Sequence, residues 1–277
     1  MHKVIRKEHL NPEMCLVEIE AGDIAKVAKA GQFVVLRIDE QGERFPLTLY
    51  DWDARKGTIT LVCQMVGVST KKLCALNVGD ALLDIAGPLG HATGTENIGK
   101  VICIGGGVGT AEAYPIAKAM KEAGNEVTAI IGFRNKDLVI CEEELENFCD
   151  GIHVTTDDGS YKKKGFVTDV LKELLEKDKY DMVFAIGPVP MMKAVADVTR
   201  PKKVKTLVSL NSIMVDATGM CGCCRIQYAG ETKFACVDGP EFDAHLVDFE
   251  DLTHRQGRYE AKEKHADDHY CRIRDKK

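Results

Sequence analysis

The chain has 277 residues, 45% of them hydrophobic and 29% charged, with eleven cysteines and a single tryptophan. That is enough chain for one large domain or two to three ordinary ones with real cores, and the composition excludes disordered, collagen-like and low-complexity classes. Lys and Arg number 37 against 43 Asp and Glu, a formal net charge of −6, which argues against a nucleic-acid or anionic-membrane binder.

In chain order, the first third reads as β structure. Runs rich in Val, Ile, Leu and Thr predict strands over 15–19, 33–38, 47–51 and 58–64. Turn residues punctuate them, among them Asp39-Glu40-Gln41-Gly42 and Asn77-Val78-Gly79-Asp80, a pattern that predicts a small antiparallel barrel. A short helix is expected over 70–76. From Lys100 onward strands alternate with helices. Strands are expected over 101–104, 127–132, 152–155, 182–186 and 204–210, and helices over 110–123, 166–178 and 191–198. Such alternation indicates a parallel sheet covered on both faces. The expected fold is an N-terminal antiparallel β-barrel over 1–96, a central α/β parallel-sheet nucleotide-binding domain over 97–210, and a small cysteine-bearing segment with a polar tail over 211–277.

The cysteines are unevenly spread. Cys221, Cys223 and Cys224 fall within four residues, and Cys236 follows. Residues 1–9 are charged and lack the apolar core of a signal peptide, and no run of about eighteen apolar residues offers a membrane span. A cytoplasmic protein is expected, in which clustered cysteines serve metal or redox chemistry rather than a disulfide framework. The isolated Cys15, Cys63, Cys74, Cys103 and Cys149 are expected to act as small buried hydrophobes.

Three turns carry nucleotide chemistry. Gly105-Gly106-Gly107-Val108-Gly109 joins a strand to a helix, so backbone N–H groups can approach a pyrophosphate at the helix N-terminus. The dinucleotide fingerprint is incomplete: Thr110 stands at the third glycine position, and the second strand ends in Ile131-Gly132-Phe133-Arg134 with no acidic residue. Taken alone, a tight structural turn reads the same way. Ile186-Gly187-Pro188-Val189-Pro190-Met191 makes a second such junction and suits a ligand lying across strand C-termini. Between them, Asp157 and Asp158 follow another strand. Their carboxylates can accept hydrogen bonds from ribose hydroxyls and repel a 2′-phosphate, favouring NAD over NADP, or they form a solvated acidic turn. Further along, Asp216 precedes Cys221, Cys223 and Cys224 on a glycine-bearing loop, with Cys236 beyond. Thiolates so spaced can surround zinc or an iron–sulfur centre; a redox dithiol or unligated cysteines are the alternatives.

The order of these motifs resembles the ferredoxin–NADP reductase superfamily. Within it the chain is similar to the electron-transfer subunits of dihydroorotate dehydrogenase and, more narrowly, to the small subunits of electron-bifurcating NADH-dependent ferredoxin:NADP oxidoreductases, also described as sulfide dehydrogenases. The similarity spans roughly residues 1–250 and is most specific between Met214 and Cys221 and between Cys236 and Phe242. It implies a [2Fe–2S] cluster held at Asp216, Cys221, Cys224 and Cys236. The dihydroorotate enzymes have cysteine at the first position, whereas the carboxylate matches the bifurcating small subunits and implies an altered potential. Cys223 stands where a small residue is usual, a bystander that could substitute as a ligand.

The resemblance also implies FAD in the barrel. Arg44-Phe45-Pro46-Leu47-Thr48 matches the segment in which an arginine meets the flavin diphosphate, although relatives often place the arginine directly before the proline. Thr48 is then expected beside the flavin N5, as the residue nearest the chemistry. Cys63, Gln64, Met65, Gly67, Ser69 and Thr70 match the strand and short helix that hold the rest of FAD. Gly105, Gly106, Gly107, Val108, Gly109, Thr110, Asp157, Asp158, Gly187, Pro188 and Met191 would line an NAD(H) site. The implied function is electron transfer between NAD(H), FAD and the cluster, with a larger iron–sulfur flavoprotein as partner and neither nucleic acid nor a membrane involved. The alternatives are a dihydroorotate dehydrogenase electron-transfer subunit and a zinc-bearing nucleotide-binding scaffold without redox turnover. His254, His265, His269 and Cys271 in the charged tail read as a solvated helix or docking tail rather than a second metal site.

Overall fold

Strands β1 (His2–Asn11), β2 (Met14–Glu20), β3 (Phe33–Arg37), β4 (Arg44–Asp53), β5 (Thr58–Gln64), β6 (Ala81–Leu82) and β7 (Asp84–Leu89), with helices α1 (Gly22–Ala25) and α2 (Val68–Ala75), open the computed structural model, which describes residues 1–274. Residues 275–277, the end of the third expected segment, lie outside the described residues. The strands pair antiparallel in the order β6-β1-β2-β5-β4-β3-β7, a nearly closed barrel. Strand alternation puts Val17 and Ile19 of β2 and Ile59 and Leu61 of β5 into its core, none more than 1% exposed. Each such side chain contributes about 1.5–3 kcal/mol by leaving water. β1 is an addition to the expected strands. Its Lys3, Arg6, Lys7 and Glu8 hide the alternation, yet it pairs along most of its length with β2.

The barrel corrects one expectation about cysteine. Cys15 and Cys74 form a disulfide, and the Cys63 thiol lies 3.6 Å from the first sulfur and 3.2 Å from the second. Cys15 and Cys63 face each other across the β2–β5 ladder, and the last turn of α2 lowers Cys74 onto them. The pairing spans 59 residues, so no local pattern announces it. Cys63 and Cys103 remain buried thiols, as expected, and Cys149 is partly exposed.

The second unit runs β8 (Lys100–Gly106), α3 (Gly109–Glu122), β9 (Glu126–Phe133), α4 (Glu142–Glu146), β10 (Gly151–Thr156), β11 (Lys163–Lys164), α5 (Val167–Lys177), β12 (Met182–Ile186), α6 (Val189–Thr199) and β13 (Lys205–Ser209). Its β8 is apolar after Lys100 because both faces are covered. Val101 and Cys103 pack with Ile116 and Met120 of α3, while Ile102 and Ile104 pack with Leu171 of α5 and Val195 of α6. The third segment adds the hairpin β14 (Arg225–Tyr228) and β15 (Glu231–Phe234), then α7 (Ala235–Asp238), β16 (Glu241–Asp243), α8 (Phe249–Gln256) and α9 (Glu260–Arg274). The sheet order is β11-β10-β9-β8-β12-β13-β16, parallel except where β16 joins the β13 edge antiparallel. Cys224, Cys236 and Leu252 share one apolar cluster with Met192 of α6. This segment is therefore welded to the sheet.

Helix α9 is mostly exposed and returns to the barrel, where Asp267 meets Lys71 of α2 at 2.6 Å. Among the described residues, His254, His265, His269 and Cys271 form no ligand cluster; the one close group of three is Cys15, Cys63 and Cys74. No helix among the described residues is long and apolar enough to cross a membrane.

Candidate active site and cluster loop

The sheet reverses its strand order at β8: β9 and β10 are added on one side, β12 and β13 on the other. Ligands of such sheets bind outside the strand C-termini at this point. Here the two glycine-bearing turns meet and open onto a cavity of about 820 Å³. Gly107, at φ +57°, presents open space where a side chain would stand. Gly109 has no such freedom: a Cβ there would collide with the Ile186 carbonyl, so only glycine lets the start of α3 press against the end of β12. Thr110 follows, its Oγ1 buried without a hydrogen-bond partner. It lies beneath Gly105, outside the cavity lining; its N–H donates to the Gly107 carbonyl and the Gly107 N–H to the Gly132 carbonyl. The lining at this turn is Gly106, Gly107, Val108 and Gly109, and the N-terminus of α3 behind it fits a phosphate-bearing cofactor.

The acidic turn divides. Asp157 lines the cavity, and burial together with neighbouring Asp158 pushes its carboxyl up from the usual range. Asp158 accepts the Ser160 N–H at 2.9 Å and is not part of the lining. Opposite Asp157 stands Arg134, with Nη2 at 2.6 Å from both carboxylate oxygens of Glu13. Phe166, 63% exposed, supplies an aromatic wall. Arg134 and Phe166 were not among the residues the sequence singles out; each joins the site through strand ends distant in the chain.

The barrel side of the site follows from how β4 pairs. Residues 44–48 bond only to β3, and the β5 partner begins at Leu49. The open side of Arg44, Pro46, Leu47 and Thr48 is thus a slot, and Pro46 is tolerated there because no ladder bond needs its missing N–H. Gln64 lines the cavity beside this slot, whereas Cys63 points the other way into the barrel core. Met65 packs partly buried against the barrel core. Gly67 has open space in place of a side chain. Thr70 caps its own helix, accepting the Gly67 N–H at 3.2 Å, and Ser69 donates to Glu43 at 3.4 Å. Arg44 is exposed, 3.6 Å from Asp84. The slot and the helix N-terminus fit an elongated dinucleotide such as FAD.

Tyr50 of β4 stacks on Tyr114 of α3 at 4.9 Å, fixing barrel against sheet. That register brings Thr48 to Glu112 in the first turn of α3, a cavity-lining residue that sequence reading missed. Burial pushes the Glu112 carboxyl up to about 7, while the Thr48 hydroxyl pulls the other way. An unfolded glutamate titrates near ~4.3, so between these values the folded chain holds the extra proton and stability falls as pH rises. Glu241, whose Oε1 accepts from Thr93, is likewise pushed up to about 7 by burial and acts in the same direction. Thermal melts should show Glu112→Gln gaining on wild type from about pH 5 to about pH 7.5, the gap widening by at most about 1.4 kcal/mol per pH unit. A gap constant across that window would show that Glu112 does not titrate there.

The cysteine loop leaves β13 and returns at β14. Left-handed residues Ala217 (φ 59°), Gly219 (φ 81°) and Gly222 (φ 68°) curl it back on itself. The curl brings the Asp216 carboxylate to the Cys221 thiol, and this contact, after the Thr218 N–H, holds Asp216 below the ordinary carboxylate range. Cys224 and Cys236 make a second pair, their sulfurs 3.2 Å apart and each 2% exposed. Two separate ligand pairs are what a two-iron cluster needs, one pair for each iron; a single tetrahedral ion needs all four in one nest. Cys223 lines a small pocket beside Arg225 and Arg255, and its thiol also contacts that of Cys221.

Barrel, switch-point cavity and cysteine loop together define a ferredoxin-reductase-like oxidoreductase extended by an iron–sulfur module. Residues 103–197 match the oxidoreductase NAD-binding domain family, and residues 211–248 match the iron–sulfur cluster binding domain of dihydroorotate dehydrogenase B. A Thermotoga maritima protein described as a dihydroorotate dehydrogenase B (NAD(+)) electron transfer subunit homolog is 44% identical over 264 residues, covering 95% of this chain and 93% of the relative. An uncharacterized protein in the adh 3′ region of Clostridium beijerinckii is 48% identical over 272 residues, covering 95% and 92%. A chain from the solved structure of an NADH-dependent reduced ferredoxin-NADP oxidoreductase superposes with a TM-score of 0.93 at 43% identity, over 98% of both chains. The chain belongs to the family of dihydroorotate dehydrogenase B electron-transfer subunits and their homologues. Its cofactors are FAD, an iron–sulfur cluster and NAD(H).

Proposed function

We propose that this chain is the NADH-facing electron-transfer subunit of a larger complex of the NADH-dependent ferredoxin:NADP oxidoreductase type. The observation that carries the reading is the junction of barrel slot and switch-point cavity at Thr48 and Glu112, with a carboxylate at the first cluster position. FAD bound in the slot supplies the conversion of a two-electron hydride into single electrons for a [2Fe–2S] cluster. Thr48 stands where the nicotinamide end of the cavity meets the barrel and would orient the flavin edge. Asp157 receives the ribose, and the turns at Gly107 and Gly187 receive the pyrophosphate, Thr110 supporting the first of them from beneath. Asp216, Cys221, Cys224 and Cys236 hold the cluster. Around the exposed Cys221 lie Val215, Met220 and Val237, exposed by 46%, 87% and 39%, an apolar rim suited to a partner that takes electrons from the cluster. The three segments 1–96, 97–210 and 211–277 correspond on this reading to FAD, NAD(H) and cluster binding.

The dihydroorotate dehydrogenase B reading is favoured by relatives such as that of Shouchella clausii, 32% identical over 232 residues. Asp216 in place of the expected cysteine favours the first reading. Anaerobic titration of the purified chain with NADH, with and without co-purifying protein, tests it: flavin and cluster absorption should both bleach. A colourless protein with stoichiometric zinc and no iron would overturn it.

A further inference from the structure

Arg255, in the last turn of α8, is 9% exposed, and its Nε and Nη2 have no hydrogen-bond partner. Ser212 Oγ, 6% exposed beside it, is unpartnered too. Among the described residues no carboxylate pairs with this guanidinium. Burial first, and then the neighbouring Arg225 and Arg258, work against its charge, with Asp251 and Cys223 pulling the other way. A buried cation left unpaired is among the costliest arrangements a fold can carry. The C-terminal dipole of α8 offers only part of the compensation. The pocket it faces holds about 10 Å³, room for a single neutral water. An anion must therefore come from elsewhere.

The pocket walls say where. Ser212 and Ile213 belong to the segment entering the cysteine loop, and Cys223 and Arg225 to the segment leaving it. Gln256, next in sequence, binds the Asn211 carbonyl at 3.0 Å and its side-chain oxygen at 2.8 Å, tying α8 to the loop's entry. Leu252, one turn earlier, packs in the apolar cluster that contains Cys224 and Cys236. Arg255 thus stands at the base of the loop, where both ends of it converge. A cluster with three thiolates, one carboxylate, two sulfides and two ferric ions is a dianion, and a trianion once reduced. We propose that Arg255 is the buried counter-charge of this cluster, donating N–H groups to the sulfur side of the loop and holding the reduced state at a higher potential. Hydrogen bonds to the sulfurs and local charge are the levers by which proteins set such potentials. The proposal rests on the cluster assignment above. It makes Arg255 a positioning and tuning residue, and Cys223 part of the wall between guanidinium and iron.

The test uses the full chain with its cluster, titrated anaerobically and followed by electron paramagnetic resonance. At a fixed potential, Arg255→Met should shift the reduced-to-oxidised ratio at least tenfold toward oxidised, a midpoint lower by about 59 mV for one electron. Arg255→Lys, which keeps the charge, should recover most of the shift. An unchanged midpoint in an iron-replete Arg255→Met protein would overturn the proposal. Should that variant lose iron, wild type labelled with guanidino-¹⁵N arginine gives a second reading. The reduced cluster should show a ¹⁵N coupling that survives in Arg225→Lys and Arg258→Lys. Absence of any such coupling would equally overturn it. Wild type that binds no iron would instead refute the cluster assignment and leave Arg255 awaiting a different anion.

Discussion

Cys236→Ser is expected to abolish the cluster while leaving the flavin bound. Cys236 is the second residue of α7 and is 2% exposed, its sulfur 3.2 Å from that of Cys224. Serine offers a harder oxygen that stays protonated near neutral pH, and it would leave a hydroxyl in an apolar cluster shared with Leu252 and Phe242. One iron would then lose half of its protein ligands. The flavin slot is built from β4, β5 and α2 with no residue from this segment, so flavin should remain at wild-type stoichiometry. Iron, acid-labile sulfide and flavin measured on one preparation check the result. Full iron with an unchanged spectrum would exclude Cys236 as a ligand. Asp216→Cys complements it: the cluster should persist with altered g-values, because a thiolate replaces a hard oxygen at one iron.

Much of this site was legible because its motifs are local. The turn at Gly105 to Gly109, the turn at Gly187 and the Asp216 to Cys236 spacing each lie within a short stretch of chain. Strands over 58–64 and 182–186 stand where their apolar runs place them, since a strand buried on its faces carries its boundary in composition. What escaped is assembled at a distance. Arg134 meets Glu13 across 121 residues, and Cys15 meets Cys74 across 59. Glu112 looks like an ordinary first-turn acid on α3 until the Tyr50–Tyr114 stack sets it against Thr48. Arg255 lies in a polar stretch that reads as solvated, and only its burial reveals an unpaired charge.

Cofactor choice is expected to reside in two carboxylates, Asp157 and Glu13, which act by different routes. Asp157 lines the cavity directly, so a 2′-phosphate there meets a like charge in a half-enclosed site. Glu13 acts indirectly. It accepts from Gln64 at 2.9 Å and from Arg134 at 2.6 Å, and so occupies the one cation in the lining that could grip a phosphate. Asp157→Asn should therefore raise kcat/KM for NADPH roughly tenfold, equivalent to about 1.4 kcal/mol, with a smaller change for NADH. Adding Glu13→Gln releases Arg134 for a charge-assisted bond of about 1.5–3 kcal/mol, a further gain of roughly tenfold or more. Flavin reduction by each nucleotide, followed in single-turnover mixing, measures both ratios. If Asp157→Asn lowers NADH and NADPH alike, the carboxylate only shapes the pocket, and selectivity must reside elsewhere in its lining. If the double variant gains nothing over the single one, Arg134 is held by more than its ion pair, and the cation is structural rather than latent.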